Sequence, residues 1–72
     1  MMRYIICNPI GKPLDSFFPN DLTGHTQLHF SAKRYMIFGS IEEAETHIGY
    51  IQFKASGKSR SAAQMLRVQV DP

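Results

Sequence analysis

The sequence predicts an α+β fold in one domain: a small antiparallel sheet of three to four strands, with one helix over residues 41–55 packed on one face. Three observations predict it. Short apolar segments, two of them clearly alternating, are punctuated by turns bearing proline and glycine. A single segment, opening at Ser40, combines a helix-start signal with apolar residues spaced three and four apart. The chain has 72 residues, 43% hydrophobic and 19% charged, which is the mix of a folding globular domain rather than of a disordered one.

Met2 to Cys7 (MRYIIC) is rich in β-branched and aromatic residues and stops at Asn8-Pro9 and Gly11-Lys12-Pro13, so it reads as a first strand covered on at least one face. Leu14 to Phe18 fits a short second strand returning from that turn. Phe17 and Phe18 then lead into a loop-like stretch from Pro19 to Gly24. Gln27 to Ser31 alternates, with Leu28 and Phe30 on one side and His29 on the other, the period of a half-buried strand. Tyr35 to Phe38 (YMIF) is again β-prone, and a tight turn through Ser31-Ala32-Lys33-Arg34 fits equally well.

The clearest local signal is Ser40 followed three residues later by Glu43, a capping box in which hydroxyl and carboxylate satisfy free backbone N–H groups. The helix therefore starts at Ile41. Ile41, Ala44, Ile48, Ile51 and Ala55 form one apolar stripe, with Glu42, Glu45 and Gln52 off it. Glutamates near the first turn and Lys54 near the last complement the helix dipole. Gly49 costs about 1 kcal/mol relative to alanine unless something packs closely against it. Gly57 is a natural stop. Ser56 to Ser61 (SGKSRS) reads as a loop, with Ala62-Ala63-Gln64 adding at most a half-turn of helix. Met65 to Val70 alternates and closes the chain as a last strand.

The balance of eight basic and six acidic residues, net +2, is too mild to demand a nucleic-acid or membrane partner, and it argues against a strongly acidic DNA mimic. Cys7 is the sole cysteine, so neither an intramolecular disulfide nor a cysteine zinc site can form, which fits a reducing cytosol. No apolar run approaches the roughly 20 residues of a membrane span, and Met1 to Cys7 is too short for a signal-peptide core. The expected location is cytoplasmic, without a membrane partner. A domain of this size buries only about 60% of its unfolded surface. A partner would add to its stability, as would a homodimer pairing an edge strand, Met2 to Cys7 or Met65 to Val70.

No familiar catalytic constellation is present. His25 and His29 are four apart, a spacing that aligns ligands on a helix, but on a strand it separates them by some 13 Å. No Glu or Cys stands between them, and with His47 they read as ordinary histidines rather than a metal site. Cys7 at the end of an apolar strand reads as a buried, inert thiol. Glu42, Glu43 and Glu45 are explained by capping and dipole, and the glycines form no phosphate-binding loop. No cofactor, metal or enzymatic activity is expected.

Two surfaces remain. Phe17, Phe18, Tyr35, Phe38, Tyr50 and Phe53 are many rings for so small a core, and rings left exposed together would make a patch for a protein partner. Phe17 and Phe18 are the first candidates, with Tyr50 and Phe53, off the helical stripe, the second. The alternative is nucleic acid: Lys54, Lys58, Arg60 and Arg67 are joined by Ser56, Ser59 and Ser61, which can donate to phosphate oxygens, with Tyr50 and Phe53 near for stacking and Lys33-Arg34 as a second basic pair.

The run Phe38-Gly39-Ser40-Ile41-Glu42-Glu43-Ala44 and the closing Leu66-Arg67-Val68 resemble the small accessory proteins of phages and mobile elements, which have an N-terminal hairpin, a capped helix and a final strand. The resemblance carries no functional residues across. It implies a non-enzymatic, anti-CRISPR-like protein of the host cytoplasm that inhibits or redirects a polymerase, a nuclease or a CRISPR effector. The leading expectation is thus a protein-binding inhibitor or modulator, with nucleic-acid binding as the alternative.

Overall fold

The computed structural model describes residues 1–19 and 26–72, and within them the chain is α+β, in the order β1 (Tyr4–Cys7), β2 (Leu14–Pro19), β3 (Thr26–Phe30), α1 (Ile41–Lys54), α2 (Ser59–Gln64) and β4 (Arg67–Val70). The expected loop from Asn20 to Gly24 and His25 lie outside the described residues. The strands form two antiparallel ladders, β1 with β4 and β2 with β3, instead of one continuous sheet. The physical reason lies at the first turn. Asn8 closes it by accepting from the Lys12 backbone N–H at 2.8 Å through its side chain and from the Gly11 N–H at 2.9 Å through its carbonyl, with Gly11 at φ 85°. Beyond it β1 and β2 share only the bridge between Cys7 and Pro13, and Pro13 turns its carbonyl away from β1 to accept from the Ser31 N–H at 2.9 Å.

The short second strand expected over Leu14 to Phe18 is β2, which holds Phe17 and Phe18 and is paired from Leu14 to Pro19 with a register shift between Leu14 and Ser16. Tyr35 to Phe38 is not a strand. Only Phe38 bridges, exchanging backbone hydrogen bonds with Tyr4 at 2.9 and 2.7 Å. This contact places β1 between β4 and Phe38, so β1 is not the edge that the sequence suggested for dimer pairing.

Ser40 caps α1 as expected, its Oγ accepting from the Glu43 N–H at 3.1 Å. The return bond of the capping box reaches one residue further back, Glu43 Oε2 accepting from the Gly39 N–H at 3.3 Å. α1 ends at Lys54, and Gly57, at φ 60°, turns the chain toward α2. α2 is a correction to the expected loop. Ala63 is fully buried, and Gln52 of α1 donates to its carbonyl at 3.2 Å, so packing overrides the polar local sequence. Thr26 clamps the turn between the helices to β3: its Oγ1 accepts from the Ser56 N–H at 3.1 Å, and its carbonyl accepts from the Ser59 hydroxyl.

The core is built from Ile6, Leu14, Ala44, Ile51, Ala63 and Leu66, with Leu28, Phe30, Ile48 and Ala55 packed against it. Four of the five stripe residues thus face inward. Ile41 does not: in the first turn of α1 it stands beside β4 and remains nearly half exposed. The final strand is anchored by Asp71, whose buried carboxylate accepts from Tyr35 Oη at 2.9 Å and from Arg3 at 2.9 Å. No helix among the described residues is long and apolar enough to cross a membrane.

Candidate functional site: the ring-lined flank of α1

The side of α1 that turns away from its buried stripe carries Glu43, Thr46, His47, Tyr50 and Lys54, three or four residues apart, with Phe53 beside them. Phe17 of β2 meets Tyr50 edge-on, the ring centroids 5.9 Å apart at 90°. His47 lies between two rings, 5.4 Å from Phe38 and 6.2 Å from Tyr50. Phe38, His47 and Tyr50 line an open-sided depression of about 600 Å³ together with Glu42, Glu43 and Thr46. Tyr50 is 46% exposed and Phe53, one helical turn on, 83% exposed.

The four aromatic candidates do not form one patch. Phe17 faces α1 and the core cluster, whereas Phe18, its neighbour on the strand, points to the opposite face of β2, where it packs edge-on against His29 at 5.4 Å. Phe17, Tyr50 and Phe53 therefore belong to one side of the molecule and Phe18 to another. The residue that sequence reasoning missed is His47. Its position four residues after Glu43 and three before Tyr50 is the signal in the sequence that places it on this flank.

His47 Nε2 is enclosed without a hydrogen-bond partner, and burial pushes the imidazole pKa below its ordinary value, so the ring stays neutral near pH 7. The Glu43 carboxylate is already engaged at the helix start. Among the described residues no group of three or more His, Cys, Asp or Glu side chains could hold a metal ion. Cys7 is buried beside Gln69, to which its Sγ donates at 3.0 Å, and burial raises its pKa, which disfavours the thiolate.

The basic candidates are distributed over three elements. Lys54 ends α1, Lys58 caps α2, Arg60 lies in its first turn, and Arg67 opens β4 opposite Cys7. All four are exposed, and among the described residues none forms an ion pair. Comparison with known proteins finds no matching family model, no similar curated protein and no similar solved structure.

Proposed function

We propose that this chain is a small non-enzymatic protein-binding module, an inhibitor or modulator of a host protein or nucleic-acid-processing complex in the cytoplasm. The observation that supports the reading is the exposure of Tyr50 and Phe53 one turn apart on α1, with Tyr50 held in place by Phe17. Large rings on a rigid helix lose little conformational entropy on binding and bury much area, which is why such residues dominate binding energy at protein interfaces. The depression beside them offers a partner side chain both rings and carboxylates.

The test compares the wild-type protein with Tyr50→Ala and Phe53→Ala in capture from host lysate, with nuclease treatment and circular dichroism of each variant. A stoichiometric partner that survives nuclease and is lost at least tenfold with either folded variant is the expected result. Equal recovery by both variants would remove this flank from the interface.

A second reading, nucleic-acid binding through Lys54, Lys58, Arg60 and Arg67, is favoured by the absence of carboxylate partners for these four among the described residues and by Phe53 beside Lys54. It predicts affinity for single-stranded DNA or RNA that falls steeply between 50 and 200 mM salt, each phosphate contact contributing a slope of about −0.7. Binding that is undetectable or indifferent to salt would exclude it.

A further inference from the structure

The face of α1 turned away from the core carries Glu42, Thr46, Gly49 and Phe53, all exposed and spaced four, three and four residues apart, across the helix from the buried Ala44 and Ile51. That spacing is the seam along which two helices pack. Charge is ordered along it, with Glu42 and Glu43 in the first turn of α1 and Lys54 in the last. Among the described residues none of these three forms an ion pair. Gly49, a residue disfavoured inside helices, stands in the middle of the seam. A Cβ built there meets nothing within 4 Å, so no neighbour inside the molecule requires its small size.

We propose that α1 pairs antiparallel with α1 of a second copy of this chain, about a two-fold axis level with the peptide between His47 and Ile48. The order of charge selects this occupant. In that register Phe53 lies level with Glu42 of the other copy, and Lys54, a rise of about 1.5 Å further on, stands within side-chain reach of Glu42 and Glu43 there. The two-fold axis repeats the match at the other end, so all four helix termini meet opposite charge and the helix dipoles oppose. A parallel pair would instead set acidic turn beside acidic turn and lysine beside lysine. Nearest the axis, Thr46 of each copy lies level with Gly49 of the other. The small residues thus fall where the backbones approach most closely, which gives Gly49 the role that the monomer does not. The pairing also covers Phe53, the most exposed ring on α1. A helix of another protein would need this charge order reversed, whereas a second copy carries it by symmetry. The proposal rests on the reading of this flank as a binding surface, and it names an occupant that a host partner displaces.

Sedimentation equilibrium of the full chain from about 5 µM to about 500 µM, at low and high salt, reads the association. A dimer that weakens with salt is expected. Glu42→Lys and Lys54→Glu each set like charges against one another at both ends, and each should weaken the dimer at least tenfold. Mixing the two variants in equal amounts should restore it, because each end of the mixed pair again joins opposite charges. Circular dichroism checks both folds. Should either variant fail to fold, Phe53→Ala, at an exposed position, decides in its place and should also weaken the dimer at least tenfold. In a sample mixing labelled and unlabelled wild-type chains, an intermolecular contact between the Thr46 methyl and the Gly49 Hα protons fixes the register. Monomers across the whole range overturn the proposal, as does a dimer that the charge variants or Phe53→Ala leave unchanged, one that mixing fails to restore, or one without the Thr46 to Gly49 contact. The two readings fail separately: the isolated chain decides the self-pairing, and capture from host lysate, at protein concentrations too low for a dimer, decides the host partner.

Discussion

His47 sits among rings, with one nitrogen buried and without a hydrogen bond. An unsatisfied buried polar atom costs about 1–3 kcal/mol, whereas an apolar group of like shape costs nothing there. His47→Phe keeps ring packing against Phe38 and Tyr50 and is expected to raise stability by about 1 kcal/mol at pH 8, measured by urea denaturation. The pH dependence has a definite sign. Burial lowers the folded-state pKa of His47, so between that value and the unfolded value of about 6.5 the unfolded chain binds more protons. The stability contributed by the neutral ring is complete above the unfolded pKa and is lost as pH falls through the folded one. The advantage of His47→Phe should therefore grow from pH 8 to pH 5, and a constant difference would show that the imidazole is not desolvated. None of this was legible in the sequence. The spacing of His47 from Tyr50 could be read, but the enclosure of one nitrogen depends on Phe38, which arrives from outside the helix.

At the scale of elements, α1 was the most readable, because its signals are local. Ser40 and Glu43 satisfy the first turn within four residues of chain, and the three-and-four spacing chooses the buried face. α2 was hidden for the opposite reason. Ser59 to Gln64 has no side-chain cap, and it is held as a helix by the burial of Ala63 and the bond from Gln52, contacts between segments eleven residues apart. The two ladders were hidden likewise, since strand alternation tells which face is buried and not which strand lies alongside. Gly49 shows what the helix does not need: it is exposed, and a Cβ built there meets nothing within 4 Å. Close packing therefore does not explain it. Gly49→Ala is expected to stabilise the protein by about 1 kcal/mol, read as a shift of the urea midpoint without a change in slope. A loss of stability would mean that the helix backbone at Gly49 is bound by a contact other than those of the monomer.

For the whole molecule the question is whether two separate ladders make one cooperative unit. Seventy-two residues imply a total stability of about 5 kcal/mol, and the buried apolar set is small. Its members, however, come from both halves: Ile6 from β1, Leu14 from β2, Ala44 and Ile51 from α1, Ala63 from α2, and Leu66 ahead of β4. Aromatic residues contribute less to this centre than their number suggested. Phe53 and Phe18 lie largely outside it, and the space is filled by aliphatic side chains instead. Ile51 has no exposed surface and belongs to α1, the element that contacts β1, β4 and α2 alike. Ile51→Ala removes buried methyl groups and leaves a cavity, at a cost of about 3 kcal/mol. That is more than half of the total, so its urea midpoint should fall by more than half, whereas Phe53→Ala, at an exposed position, should stay within about 0.5 kcal/mol of the wild type. If the shared core makes the ladders one unit, hydrogen exchange in Ile51→Ala will lose protection in β1 and β3 together and by the same amount. Protection lost in β1 while β3 keeps its own would show instead that the Cys7 and Pro13 bridge joins two independently stable halves.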